Sequence, residues 1–339
     1  MKRSRISRLA MALSAMALLA ALFPTAASAQ SSGVTETYSG LEALGDGFVY
    51  EGWLIIDGDP VSTGLFSVDA DGDVERISTP NIPNAADAST FVLTIEPSPD
   101  PDPAPADTHV LAGDFVNGIA TLNIEHPAAL GTDFSSATGS YAVTTPSTTT
   151  EDDDYSGIWF LQVTDDGPAA SLDLPELPAG WAYEGWTVGP TGPLSTGTFL
   201  GGSGADDFSG FSGPEDTPPF PGEDFVTNAP EGLEFPRDLS GYPVVISVEP
   251  SPDDSPAPFA LKPLVGEVPN PVVTGAAVSN PLTFAADTLG GTVTIAGVQA
   301  APELAVTGAT TDAIFVFGIV LVALGAVAVR SQRRLGHEI

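Results

Sequence analysis

Between residues 30 and 300 the apolar positions come in short runs rich in β-branched and aromatic residues. Examples are Phe48 to Ile56, Thr63 to Val68, Phe91 to Ile95 and Ile119 to Ile124, each bounded by Gly, Pro or Asp. No stretch in that span shows a helical period, so the pattern predicts strands. Asp57-Gly58 and Asp71-Gly72 are hairpin signals, because glycine accepts the positive φ that such turns require. Gly139 to Val163 predicts a further hairpin, Ser140–Thr145 against Ile158–Val163, with Thr148 to Asp154 as its solvated tip. Many short strands with frequent turns predict an all-β chain of sandwich-like modules.

The strand pattern occurs twice. Gly47-Phe-Val-Tyr50-Glu51-Gly52-Trp53 returns as Gly180-Trp-Ala-Tyr183-Glu184-Gly185-Trp186, and Pro60-Val-Ser62-Thr63-Gly64-Leu-Phe66 as Pro193-Leu-Ser195-Thr196-Gly197-Thr-Phe199. Phe91 to Asp100, containing Glu96-Pro97-Ser98-Pro99, returns at Val244 to Asp253 as Glu249-Pro250-Ser251-Pro252. A fourth echo relates Gly118-Ile-Ala-Thr-Leu to Gly291-Thr-Val-Thr-Ile. Four blocks kept in order imply a duplicated unit. The expected modules are residues 30–130 and 131–298, the second enlarged by acid- and proline-rich insertions after Phe199 and after Asp253, where surface loops and specificity are expected.

Two apolar segments frame this region. Residues 1–29 read as a signal peptide, with Lys2, Arg3, Arg5 and Arg8 ahead of an apolar stretch and Ala27-Ser28-Ala29 as the cleavage site, the alternative being a retained anchor. Residues 313–329 carry no charge and are long enough to cross a bilayer as a helix; the tail 330–339, with Arg330, Arg333 and Arg334, is expected in the cytoplasm and residues 30–312 outside. In the linker 299–312 lies Leu304-Ala305-Val306-Thr307-Gly308. Pentapeptide, apolar span and basic tail in that order resemble a sortase cell-wall sorting signal, with Ala305 where the usual form has Pro. The resemblance implies cleavage between Thr307 and Gly308, with sortase and peptidoglycan as partners. The competing reading is a plain membrane anchor. Both put the protein at the cell surface.

Of 44 acidic residues 42 lie in 30–307, against Arg76, Arg237 and Lys262 as the basic residues there. Such a field repels nucleic acid, which leaves the expected partners, and attracts cations. With no cysteine there is neither a disulfide framework nor a thiolate metal site.

The strand containing Tyr50, Glu51 and Trp53, the Pro-x-Ser-Thr-Gly-x-Phe strand and the apolar strand ending in Glu96-Pro97 together resemble the extracytoplasmic C-terminal domain of anti-sigma-K factors. The likeness covers about residues 40–112 and 174–265. Those regulators place a cytoplasmic sigma-binding segment with a His/Cys zinc site ahead of a single span. This chain has no cysteine and has its span behind the modules, so direct sigma-factor inhibition is not expected.

Glu51, Glu96, Glu184 and Glu249 invite a paired-carboxylate reading. Their appearance at matching framework positions of both copies favours structure instead, a Glu near Trp53 or Trp186 being able to accept an indole N–H. Catalytic residues are therefore expected to be none and cofactors none, apart from calcium. Asp69, Asp71 and Asp73 resemble a calcium loop in composition, but Gly72 stands fourth where an EF-hand needs it sixth, and a solvated turn competes. His109 and His126 have no metal-ligand spacing. Trp53, Trp159, Trp181 and Trp186 could stack on sugars, though core positions are the commoner use in a sandwich. The leading function is a non-catalytic binding or structural module of the bacterial envelope. The alternatives are an extracytoplasmic sensor for an anti-sigma-type membrane regulator and an enzyme acting on wall polysaccharide.

Overall fold

A computed structural model describes residues 31–69, 77–150, 153–252, 255–272, 278–285 and 289–298. The signal peptide with Ala27 and Ala29, the pentapeptide Leu304–Gly308, the apolar segment 313–329, the basic tail, and Asp71 and Asp73 of the calcium loop lie outside the described residues. Among the described residues the elements are strands and one 3-10 turn, Ala85–Asp87. No helix there is long and apolar enough to cross a membrane.

The first copy is a single eight-stranded antiparallel sheet. Its strands are β1 (Ser31–Ser39), β2 (Phe48–Ile56), β3 (Asp59–Phe66), β4 (Ile77–Pro83), β5 (Ala88–Pro97), β6 (His109–Val116) and β7 (Ile119–Leu122), completed by β19 (Gly290–Ile295). The order is β3-β2-β5-β6-β7-β19-β1-β4. The sheet rolls until its edges meet, Thr79 Oγ1 of β4 donating to the Thr63 carbonyl of β3 at 2.5 Å. Tyr38 of β1 stacks on Phe66 of β3, ring centroids 5.2 Å apart. Two separate sheets were expected here. One sheet that curls onto itself buries the same face and protects the edges that open sheets must cover.

The second copy has two facing sheets. One contains β12 (Trp181–Gly189), β13 (Gly192–Phe199), β15 (Pro243–Pro250), β16 (Leu264–Glu267) and β18 (Thr283–Phe284), in the order β13-β12-β15-β16-β18. The other holds β8 (Ser140–Val143), β9 (Gly157–Trp159), β14 (Gly222–Asp224) and β17 (Ser279–Pro281), in the order β14-β9-β8-β17. β8 and β9 pair over part of the expected hairpin, Ala142 opposite Trp159, but Leu161 to Val163 pair instead with Pro168 to Ala170, and Asp153 of the expected solvated tip is buried. The faces meet where Tyr141 Oη donates to the Glu267 carbonyl at 2.6 Å and where Phe160 packs toward Phe199 at 6.5 Å. β10 (Leu161–Thr164) and β11 (Gly167–Ala170) form a separate ribbon.

Equivalent strands of the copies keep the same register. β2–β3 and β12–β13 both shift register, at Gly52/Trp53 and at Gly185/Trp186, leaving Thr63 and Thr196 as the extra residue of a bulge. Gly64 at φ 121° and Gly197 at φ 116° follow those residues in conformations that side chains rarely adopt. This accounts for the repeated Ser-Thr-Gly: the bulge turns both threonines inward and fully out of solvent.

The fourth echo has a different meaning from the first three. β19, expected as the close of the second copy, is hydrogen-bonded between β7 and β1, with Thr294 opposite Ile119 and Val34 opposite Ile295. The first copy's sheet is thus completed by the chain's return, and the described residues up to Val298 belong to one compact unit. A boundary that assigns residues 131–298 wholly to the second copy does not follow the hydrogen bonding.

Inside the rolled sheet lies Glu36, 1% exposed, over Gly52. Tyr38 Oη donates to its Oε2 at 2.6 Å, while Oε1 and the Thr63 hydroxyl have no regular hydrogen bond. Burial pushes the carboxyl above its usual pKa, the hydroxyls of Thr63 and Tyr38 pulling the other way. The folded chain therefore holds this proton more tightly than the unfolded one. The associated stability is complete in acid and is lost as pH rises through the raised value. Glu36→Gln, whose amide can donate toward Thr63, should melt like the parent below about pH 4 and above it at higher pH. Thermal unfolding of both proteins across that range checks this. Parallel curves up to pH 8 would refute it.

Candidate functional site

The framework residues occupy matching positions in the two copies. In β2 and β5 the side chains alternate: Tyr50, Leu54 and Ile56 enter the main core with Phe91, Leu93 and Ile95. Trp53 and Val92 point the other way and are covered by Ala112 and Ala129. On that second face Trp53 Nε1 donates to Thr94 Oγ1 at 2.9 Å, Thr94 donates to Glu96 Oε1, and that oxygen also accepts the Ala106 N–H at 2.9 Å. The second copy repeats every step. Trp186 Nε1 donates to Ser247 Oγ at 2.8 Å, Ser247 to Glu249 Oε1, and the Phe259 N–H to the same oxygen at 2.8 Å.

The hydroxyl between indole and carboxylate was not foreseen; a direct indole–Glu bond was. Thr94 and Ser247 stand across from Glu51 and Glu184, so the alternation of the strand puts them between the Trp and the Glu on one face. Glu51 and Glu184 accept hydroxyl hydrogen bonds from Ser62 and Ser195, which the bulge places beside them. Burial pushes the Glu51 carboxyl up, Ser62 opposing it, with Glu96 and Asp100 adding to the rise. Tyr50 Oη donates to the Glu42 carbonyl at 3.0 Å and Tyr183 Oη to the Pro175 carbonyl at 2.7 Å, each eight residues upstream. Glu51, Glu184, Trp53 and Trp186 thus bond strand to strand, while Tyr50, Tyr183, Glu96 and Glu249 tie strands to loops.

Of the proposed calcium loop Asp69 alone is described, at the surface. Among the described residues no group of three or more His, Asp or Glu is arranged to hold a metal. His109 Nδ1 lies 2.9 Å from the Ala128 carbonyl, and His126 pairs with Asp114 at 3.3 Å. The four tryptophans are all buried, none more than 3% exposed.

The feature that differs between the copies is a cleft in the insertion that follows β13. It has a volume of about 280 Å³ and lies between Trp159 at the end of β9, the loop Ala205–Ser209, and Thr217–Phe220 leading into β14. Asp206 and Asp207 sit on its wall, with Phe208, Phe220 and Trp159 as the apolar lining. Asp206 pins the insertion to the sheet: Oδ2 accepts the Gly222 N–H at 2.7 Å and Oδ1 the Phe208 N–H at 3.2 Å. Asp207 accepts both the N–H and the hydroxyl of Thr198, at 2.7 and 2.9 Å. Behind the lining, Phe211 packs against Phe208, Phe225 and Phe235 with centroids 4.9 to 6.0 Å apart, so the loop is held by a core of its own.

Two further acids stand beneath this cleft, both fully buried. Asp224 accepts the Trp159 Nε1–H and the Ser147 N–H, each at 2.7 Å. Glu223 accepts the Ser212 hydroxyl. Burial pushes both carboxyls up, their hydrogen bonds acting in the opposite sense. Asp206 is pushed up to about 7, first by burial and then by Glu223 and Asp207, against the pull of the Gly222 and Phe208 N–H groups. In the sequence Asp206-Asp207 carries no motif of its own. The signal that marks it is the length difference between copies, which locates the insertion without showing that Phe208, Phe220 and Trp159 converge.

A model of the family described as anti-sigma-K factor rskA, C-terminal, matches residues 8–109. The match takes in β1 to β5 and stops at the start of β6, within the first copy. It does not extend to the second copy, whose β12, β13 and β15 nonetheless repeat the register and the Trp–hydroxyl–Glu bonds of β2, β3 and β5. No curated protein and no solved structure matches the chain.

Proposed function

We propose that this chain is a non-catalytic binding module of the bacterial cell envelope, exported by its N-terminal segment and held at the surface by its C-terminal one. The likeness of residues 8–109 to the C-terminal domain of an anti-sigma factor supports an extracytoplasmic module. The observation that carries the binding reading is the contrast between the copies. The framework acids make matching structural bonds in both, whereas the aromatic–acid cleft is built from the insertion that distinguishes the second copy. Enzymes of the two-carboxylate type need a second acid free to act in the cleft. Asp206 and Asp207 are neighbours on one loop, not two acids flanking a bond from opposite sides, which favours binding over hydrolysis.

A second reading is a sensor that partners a membrane-bound regulator of the anti-sigma kind. The family match favours it, and because that match begins at Arg8 it also runs across the N-terminal apolar stretch, as a retained anchor would. One experiment separates the possibilities. The full chain, produced in a sortase-bearing Gram-positive host, is fractionated with and without muramidase, and the recovered protein is weighed by mass spectrometry. Release by muramidase of a species running from Gln30 to Thr307 is expected. Recovery only from the membrane, with the C-terminal segment intact, would remove the sorting reading, and a mass that includes residues 1–29 would replace export and cleavage by N-terminal anchoring.

A further inference from the structure

We propose that the cleft of the second copy takes one primary ammonium group on an apolar stem, of the kind a lysine or other diamino-acid side chain of a peptide presents. This rests on the binding-module reading above and names the ligand chemistry of that site. Charge is the first argument. Asp206 and Asp207 line the cleft and Glu223 adds to the field at Asp206, yet no cation of this chain neutralises them among the described residues. Arg237 is engaged with Thr191 and lies over the Tyr242 ring at 5.5 Å. Lys262 donates to the Phe259 carbonyl.

Geometry is the second argument. Each oxygen of Asp206 accepts one backbone N–H, which fixes the carboxylate while leaving a lone pair on each for a ligand donor. Phe208, more than a third exposed, stands two residues along the same loop, with Phe220 and Trp159 completing the wall. Aromatic side chains beside a carboxylate, Phe208 the most exposed of them, favour an organic cation over a hydrated metal ion. Size is the third argument: about 280 Å³ falls just below the range of small-molecule pockets, about 300–1,000 Å³, and suits one side chain. The raised pKa of Asp206 belongs to the same picture, a desolvated acid without a counter-ion.

The test uses the full chain in detergent micelles, followed by tryptophan fluorescence and saturation-transfer NMR. The probes are Nα-acetyl-lysine methylamide, its Nε-acetylated analogue, N-acetylglucosamine and calcium chloride. Saturable binding of the first alone is expected, weakened about tenfold in Asp206→Asn and about threefold in Phe208→Leu, which keeps the apolar volume and removes the ring. Phe208→Leu keeps the test valid if Asp206→Asn disturbs the loop. Equal binding of the Nε-acetylated analogue, or a preference for the sugar or for calcium, would overturn the ammonium assignment and leave the binding module standing. No binding of any probe would overturn both.

Discussion

Glu96→Ala is expected to destabilise the folded unit by about 4 kcal/mol, with a fall in melting temperature on the order of 10 °C. The change takes the acceptor from the buried Thr94 hydroxyl, which keeps only a long contact to the Glu51 carbonyl at 3.4 Å, and from the half-buried Ala106 N–H, and Thr94 also accepts from the Trp53 indole. Buried donors stripped of a charged acceptor lose about 1.5–3 kcal/mol each. Glu249→Ala should cost a similar amount, because Ser247 and the Phe259 N–H stand in the same relation to it. Glu96→Gln should recover most of the loss, since the amide oxygen still accepts. Glu125→Ala, at an exposed position, should change stability by less than about 0.5 kcal/mol. Chemical denaturation of the five proteins measures all of this. If Glu96→Ala and Glu249→Ala were to abolish a function at unchanged stability, the structural account of these acids would fail and a chemical role would take its place.

Alanine at Gly52 or Gly185 is expected to cost about 3 kcal/mol, through crowding and not through lost bonds. A methyl at Gly52 would lie 2.7 Å from the Phe91 ring carbon Cζ and closer still to the Thr63 hydroxyl. At Gly185 it would meet Phe160 and the Thr196 hydroxyl in the same way. The two sites differ in what lies above them. Gly52 has the Glu36 carboxyl from β1, whereas Gly185 has the Phe160 ring that follows β9. Relief should therefore be specific to each copy: Thr63→Ser leaves the hydroxyl and should not rescue Gly52→Ala, while Phe160→Leu should partly rescue Gly185→Ala. Double-mutant cycles read by thermal unfolding check this. Full stability in either glycine variant would show that the inward-turned threonines do not occupy the space assigned to them.

The repeat made a large part of this fold legible. The strand at Tyr50-Glu51-Gly52-Trp53 and its partner at Tyr183 to Trp186 were readable because β-branched and aromatic runs between turn residues have few other uses, and the internal match fixed their equivalence. The equivalence of the framework acids was readable from the same repetition. The Thr94 and Ser247 links were not, because a hydroxyl two residues before a Glu gains its meaning only when the strand's alternation and the facing Trp are both in place. The cleft was half legible. Comparing copy lengths points to the insertion, but the convergence of Trp159 with Phe208 and Phe220, about fifty to sixty residues later in the chain, depends on β14 pairing with β9.

What the residue order determined was local. It set the strand-forming runs, the hairpin at Asp57-Gly58 and the acidic character of residues 30–307. Which strand lies beside which was decided by the tertiary structure. β19 resembles β7 closely enough to read as its counterpart in another module, yet it is inserted next to β7 itself, because the rolled sheet needs an eighth strand between β7 and β1. Strand pairing contributes hydrogen bonds that any strand of suitable length can supply, so composition cannot say which partner takes them. The burial of Glu36 has the same origin: an ordinary acid in an alternating strand became an interior group only when the sheet closed over it.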